Sequence, residues 1–412
     1  MKTVALLLCL PFAVSAQAQR GGAQLFSRYP FDAWAAESAK PGIRWDVDLE
    51  GARLTPHQRL SARIRIRVDD SEVRRRQGSQ IVAFIRIEDA SGRRYQTAST
   101  SWIRPLHEGG AYGDLTVTFA AFFLPGDYVI SLAACDPKTL DHSFTRRRYH
   151  VGAIRSDPLP DAWKDLPAVE FIQQDFIPYS WYQPQLRSVI RLPVANEKPV
   201  RIELLVNITP SNLGSLSQFR NNMQLVIPSM KVLMGIEPAS GSVGLTIADI
   251  NRQALVYEQP NLLISNIGRG APPGRSEWSH LRPILSDFST AKVEAQTLAG
   301  QHRMLGFISG TLSRLLAPPD PPRVLIVLSA PANFSHQQTA PPAELPPDPR
   351  RRVFYLRYAP FPPHQRGEWL DAMFADDIER ILRPQGARIF RITSPEQFRK
   401  ALAAILREIA AI

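Results

Sequence analysis

The spacing of apolar residues changes once along this chain, near Pro199, and that change dictates two kinds of fold in series. Before it, short runs alternate apolar with polar residues at a period of two, the mark of strands with one buried face. They are Trp45 to Leu49, Leu60 to Val68, Ile81 to Ile87, Tyr95 to Thr100, Leu115 to Phe123, Tyr128 to Ala133 and Arg147 to Val151. Turn formers separate them: Asp69-Asp70, Ser91-Gly92 and Pro125-Gly126-Asp127. In Pro125-Gly126 the proline fixes φ and the glycine supplies a positive φ, as a type II turn requires. Short strands at this density, without a helical period, predict an all-β, Ig-like sandwich over residues 43–152.

Beyond Pro199 strand and helix patterns alternate. Arg201 to Val206 reads as an apolar strand. Leu216, Phe219, Met223, Val226, Met230 and Leu233 recur at steps of three and four, the spacing of one helix face, with Pro228 expected to kink or restart the helix. Val243 to Ile250 and Ala254 to Tyr257 read as a hairpin, and Ser289 to Leu316 as a helix. Val324 to Leu328 is an unbroken apolar run, typical of a strand covered on both faces. Val353 to Tyr358 and Arg388 to Ile392 read as strands, Trp369 to Leu382 as a helix. Ser394, Pro395 and Gln397 mark the start of a final helix through a Ser-x-x-Gln capping box. Phe398, Leu402, Ile405 and Ile409 are its expected buried stripe. This order predicts an α/β, doubly wound, mostly parallel sheet over residues 200–412.

The flanking segments bear on location. Residues 1–18 read as a secretory signal: Lys2, an apolar run from Thr3 to Val14 too short to span a bilayer, then small residues, with cleavage after Ala16 or Ala18. Residues 19–42 read as a polar, small-residue leader. Residues 153–199 form a connector rich in proline and aromatic residues, too apolar for a free linker. It is expected to pack on a domain, with Val189 to Leu192 adding an edge strand. No later stretch has about 18 consecutive apolar residues, so no transmembrane segment is expected after signal cleavage. Cleavage would remove Cys9 and leave Cys135, at the end of an apolar strand, as a buried small hydrophobe.

Lys and Arg number 49 against 38 Asp and Glu, a formal net charge of +11. In an exported chain this points to a soluble surface or an anionic envelope polymer, and away from nucleic acid. Arg63, Arg65 and Arg67 alternate with apolar residues and read as the wet face of a strand. Arg74 to Arg76 and Arg146 to Arg148 lie near turns and read as solvated.

The candidate site follows the first α/β strand, at Asn207-Ile208-Thr209-Pro210-Ser211. Sheets of this kind bind ligands at the carboxyl edge. The proline-rich stretch from Pro331 to Arg350 leaves the central strand at the same edge, and Ser265 to Asp287 is a second loop rich in Gly and Pro. Here residues 200–412 resemble the von Willebrand factor type A domain, and more closely the related domains of secreted bacterial proteins with a β-rich N-terminal half. In that family the first strand ends in Asp-x-Ser-x-Ser. Those side chains, a Thr from a later loop and an Asp after the central strand form a metal-ion-dependent adhesion site. The resemblance implies a Rossmann-type fold and an adhesive role.

The departures from that pattern matter more than the match. Asn207 stands for the leading acid, Thr209 for the middle serine, Ser211 is retained, and the second acid falls near Ala330. At an effective dielectric of about 20, each missing negative charge near 4 Å from a dication forfeits on the order of 4 kcal/mol. Neutral oxygens do not recover that, so no bound metal and no cofactor are expected. Asp287 is the acid placed to substitute, with Thr290 as the later threonine. Asn207, Thr209 and Ser211 are then candidate partner-binding residues, or a turn and cap cluster at a helix start.

Catalytic signatures are absent from the sequence: there is no Gly-x-Ser-x-Gly, no His-Glu-x-x-His and no phosphate-cradling glycine loop. The histidines His142, His150, His280, His302, His336 and His364 read as surface or packing residues. The sequence predicts an exported, periplasmic or extracellular, non-catalytic interaction protein. Its upper α/β loops would bind an extracytoplasmic protein without a metal. The alternatives are a structural envelope component, a polyanion-binding protein, or an envelope hydrolase. The hydrolase would need Asp249, Asp287 or Glu258 beside a histidine in one pocket.

Overall fold

The computed structural model describes residues 24–37, 42–103, 113–172, 188, 190–208, 216–250, 252–262, 304–317, 321–332, 348, 350–358 and 376–412, excepting the side chains of 216–223 and 304. The chain divides into two compact units. The first comprises Met1–Arg53, Arg59–Arg155 and Pro167–Phe176; the second comprises Leu54–Gln58, Ser156–Leu166 and Ile177–Ile412.

The N-terminal unit contains helix α1 (Phe31–Ala36), strand β1 (Trp45–Leu49), the first residue of the two-residue strand β2 (Arg53–Leu54), strand β3 (Leu60–Val68), helix α2 (Asp70–Arg75), and strands β4 (Gln80–Asp89), β5 (Arg94–Trp102), β6 (Leu115–Phe123), β7 (Gly126–Cys135), β8 (His142–Val151) and β9 (Val169–Phe171). They form two antiparallel sheets, β1-β3-β6-β9 with β2 beside β3, and β5-β4-β7-β8. Each of the seven period-two runs is a strand, and β3 and β6 pair along their whole length from Leu60↔Phe123 to Val68↔Leu115. On β3 the alternation is literal: Ala62, Ile64, Ile66 and Val68 are buried while Arg63 and Arg67 are exposed. Phe123 of one sheet meets Tyr128 and Tyr149 of the other, ring centroids 5.2 and 5.4 Å apart.

Two expectations fail in this unit. The polar leader is part of the core: residues 24–28 and α1 are helical, and Tyr29, Phe31 and Trp34 are buried against Val82, Phe84, Ala133 and Cys135. Aromatic side chains bury enough apolar area to dominate a polar segment, at about 1.5–3 kcal/mol for each fully buried ring. Cys135 sits at the base of this cluster, and burial pushes its thiol up to about 12. Arg76, expected in solvent, is 5 % exposed. Asp69 caps α2 by accepting from the Ser71 amide, and the short helix turns Arg76 inward to Asp136 and Asp141, both at 2.9 Å, and to Glu72 at 3.3 Å. Sequence spacing showed the arginine run but not the acids gathered around its last member.

The C-terminal unit contains β10 (Leu192–Val194), β11 (Val200–Asn207), α3 (Leu216–Leu233), β12 (Ile236–Pro238), β13 (Gly241–Asp249), β14 (Ala254–Gln259), α4 (Met304–Leu316), β15 (Arg323–Ser329), β16 (Arg351–Tyr358), α5 (Asp377–Leu382), β17 (Arg388–Ile392) and α6 (Pro395–Ala410). Its main sheet runs β14-β13-β11-β15-β16-β17. All adjacent pairs are parallel except β13 and β14, which form the expected hairpin. Helices lie against both faces. Leu205, Leu325, Val327, Val353 and Tyr355 pack with α4 residues Leu305, Ile308 and Leu312 and with Ile378 and Leu382 of α5. On the other face Tyr358 bonds to Ser229 of α3 and meets Phe398 of α6 at 6.2 Å. Pro228 neither ends nor divides α3, which runs through it to Leu233. Ser394 caps α6 as expected, and only the reciprocal contact of the capping box moves by one residue. Ser394 Oγ accepts from the Gln397 amide at 3.3 Å, but Gln397 Oε1 accepts from Thr393 N at 2.6 Å rather than from Ser394.

The connector also behaves differently. Its edge strand is β9, which pairs with β6, whereas the region expected to supply one ends in β10, paired in parallel with β12. Residues 156–166 belong to the C-terminal unit, where Asp157 takes both Nε and Nη2 of the buried Arg399 on α6 at 2.6 and 2.7 Å.

One glycine at the start of β13 fixes the central parallel pair. Gly241 has φ of +125°, and a Cβ there would stand 1.9 Å from the carbonyl oxygen of Val200 on β11. Gly241→Ala is expected to cost ~2 kcal/mol through backbone strain and displacement of β11, read as a lower urea midpoint with an unchanged slope.

Candidate functional site

The carboxyl ends of β11 and β15 lie side by side, because Val206 is in register with Leu328. The next residues, Asn207 and Ser329, are both buried, at 3 % and 0 % exposure. Asn207 Nδ2 donates to Ser329 Oγ at 2.9 Å, and Ser329 Oγ donates to the Ala330 carbonyl at 2.5 Å. The Asn207 amide is therefore tied sideways into the sheet. Thr209, Ser211 and Asp287 fall outside the described residues, so of the three candidate binding residues the structure places Asn207 alone.

The structure adds an acid that the sequence reading missed. Asp376, just before α5, sits beneath the chain leaving β15. Its Oδ1 accepts from the amides of Ala332 (3.2 Å) and Ile378 (3.1 Å). Its Oδ2 accepts from the Tyr355 hydroxyl at 2.8 Å and lies 2.9 Å from Arg357 Nε. The Ala332 carbonyl in turn accepts from the Asp377 amide at 2.8 Å. Burial raises the Asp376 carboxyl above its ordinary range, opposed by the Tyr355 hydrogen bond and the Arg357 charge. Three hydrogen bonds and the adjacent Arg357 charge thus occupy the carboxylate. A cation would have to displace these contacts and tolerate the guanidinium of Arg357, whose Nη1 also reaches Glu379 at 3.5 Å. Asp376 thus works as a pin that joins the exit of β15 to the start of α5. In sequence, an Asp opening a short helical run carries the signal of an N-cap, but nothing marks its link to Tyr355 and Arg357.

Of the acids named for a hydrolytic pocket, Asp249 and Glu258 are engaged elsewhere, and Asp287 lies outside the described residues. Asp249 lies 3.3 Å from Arg252 Nε, and Glu258 pairs with Arg314 at 2.5 Å. Of the histidines, His142 stacks on Trp34 with centroids 4.7 Å apart, and His150 lies 2.7 Å from Asp127. His280, His302, His336 and His364 lie outside the described residues. Among the described residues no group of three His, Cys, Asp or Glu side chains is arranged to hold a metal, and no helix is long and apolar enough to cross a membrane.

No protein-family model matches the sequence, and no curated protein matches it. Solved structures show partial likeness. A β-glucuronidase from Parabacteroides merdae is 13 % identical over 27 % of this chain and 14 % of its own, with a TM-score of 0.18. A putative ApaA protein from Bordetella pertussis is 12 % identical over 28 % of this chain and 97 % of its own, also at 0.18. A β-glucuronidase from Bacteroides uniformis is 10 % identical over 85 % of this chain and 39 % of its own, at 0.19. The chain therefore spans well under two thirds of either glucuronidase. At such TM-scores these likenesses do not bear on activity.

Proposed function

We propose that this is an exported, non-catalytic interaction protein whose doubly wound α/β unit is related to the von Willebrand factor type A domain. It engages an extracytoplasmic protein through the loops at the carboxyl edge of its sheet, without a metal ion. Support comes first from the strand order. Numbered within the unit's main sheet it runs 3-2-1-4-5-6, with the reversal between β11 and β15, where folds of this class place ligands. The observation that carries the metal-free part is the Asn207–Ser329 hydrogen bond: the residue at the leading ligand position is neutral and turned to its neighbour. Adhesion at such an edge relies on shape and on polar contacts from the loops.

The reading makes two measurable demands. Calorimetric titration of the purified protein with Mg²⁺, Mn²⁺ and Ca²⁺ should give no stoichiometric heat at millimolar concentrations. Exchanging residues 207–211 and 331–350 for unrelated loops should remove the protein partners recovered from envelope extracts. Saturable binding of one dication, or a partner set indifferent to the exchange, would count against it.

A further inference from the structure

Arginines occupy two exposed strands of the N-terminal unit, in opposite electrostatic settings. On β3, Arg65 pairs with Asp48 at 3.4 Å and with Glu50, while Arg67 pairs with Asp46 at 3.1 Å and Asp114 at 3.7 Å. The acids are built into the facing strand, since Asp46 and Asp48 of β1 stand in register with Arg67 and Arg65. That face cancels its own charge. Strand β8 does not. It is the edge of its sheet, and its consecutive Arg146, Arg147 and Arg148 are all exposed. Their register partners on β7 are Ser131, Ile130 and Val129, none of them acidic. Among the described residues none of the three is within ion-pair distance of a carboxylate, whereas Arg86, farther into the same sheet, is matched by Asp32.

Side chains two apart on a strand share a face, so Arg146 and Arg148 project together about 6.7 Å apart, while Arg147 points to the opposite face. A single charge suffices to discourage edge-to-edge pairing; two on one face make a short line of positive charge with no carboxylate at ion-pair distance among the described residues. Guanidinium groups in such a line suit the repeating carboxylates or sulfates of an extended polymer. The strand offers nothing for a bilayer or for stacked bases beside these arginines: its Tyr149 and Val151 are buried. Leu140, exposed before the start of the strand, is the apolar exception in this hairpin.

We propose that the outer face of β8 is a docking surface for an anionic polysaccharide, with Arg146 and Arg148 taking its acidic groups. The site is separate from the α/β loops and would stand if their role were different.

The test uses the full chain on immobilised heparin, with neutral dextran as the control matrix, across a salt series. Wild-type protein should be retained on heparin alone. The double variant Arg146→Ser/Arg148→Ser should bind about tenfold more weakly at low salt, with the slope of log affinity against log salt reduced by about two. The double variant Arg65→Ser/Arg67→Ser loses the same formal charge from the neutralised face and should elute with wild type. Circular dichroism melts establish that both variants are folded. Absence of wild-type retention, or equal losses in the two variants, overturns the proposal. So does tighter binding to phosphatidylglycerol vesicles than to heparin that disappears with the same two substitutions.

Discussion

Replacing Arg76 by methionine is expected to cost the N-terminal unit about 3–5 kcal/mol, the penalty for removing one member of a buried ionic cluster and stranding the others. Three carboxylates converge on this guanidinium, and those of Asp136 and Glu72 are almost wholly shielded, at 2 % and 5 % side-chain exposure. Nη2 also donates to the Gly42 carbonyl at 3.0 Å, so the same side chain fastens the segment that enters β1. For a unit of this size the loss should lower its thermal transition by roughly 10 °C in scanning calorimetry. Arg74→Met, two residues earlier on an exposed i,i+4 pair with Asp70, should shift it by less than about 2 °C. The pH dependence supplies a second readout. Burial pushes the Asp136 carboxyl up, but the Lys138 amide, Ser79 and Arg76 outweigh it and hold it below the ordinary 3.8. Asp141 is held below the same value chiefly by its bond to Arg76. Depressed carboxylates give stability that is full above their unfolded value and lost as pH falls through the folded one. The gap between wild type and Arg76→Met should therefore close below about pH 4. A variant as stable as wild type at pH 7 would mean that the cluster contributes nothing.

Arg399→Met should have a comparable effect on the C-terminal unit, again about 3–5 kcal/mol. Arg399 is 1 % exposed, holds Asp157 through two charge-assisted bonds, donates to the Leu159 carbonyl at 2.7 Å and stacks over Trp163 at 4.6 Å. Trp163 Nε1 in turn donates to the Gln58 carbonyl at 2.7 Å, and Gln58 Nε2 to the Pro395 carbonyl at 3.0 Å. Loss of the arginine thus frees residues 54–58 and 156–166 from the last helix together. The second substitution of a cycle separates lost attraction from a stranded charge. Arg399→Met/Asp157→Leu should recover a large part of the loss, because an apolar pair of similar volume often serves as well as a buried ion pair. Burial raises the Asp157 carboxyl while Arg399 and the Leu159 amide lower it further, leaving it below 3.8. Its stabilisation is present at neutral pH and disappears on acidification below that value. Urea unfolding of the three proteins at pH 7 and pH 3 measures both claims, and a double variant no better than Arg399→Met would refute the stranded-charge account.

Local pattern and long-range chemistry were unequally legible. Strand β3 could be bounded to the residue because its alternation is uninterrupted and one face is buried throughout. Helix α6 was equally clear, since cap, proline and stripe agree. The leader was misread because composition hid a few well-placed aromatic rings, whose burial depends on a sheet formed far along the chain. Arg76 and Arg399 were opaque for a related reason. Whether an arginine is solvated or buried depends on where its acids arrive, and Asp136 and Asp157 come from distant segments. At the site, the motif located Asn207 but not its hydrogen bond to Ser329, and gave no hint of Asp376.

The pin formed by Asp376 has a consequence for how this protein can diversify. Both backbone groups of Ala332 are secured, one by the Asp376 side chain and the other by the Asp377 amide, at the point where the chain departs from the sheet. Changes of length or composition beyond that point stop at the anchor and leave the strands beneath undisturbed. Substitutions past Ala332 are therefore expected to cost the strands before it little folding stability.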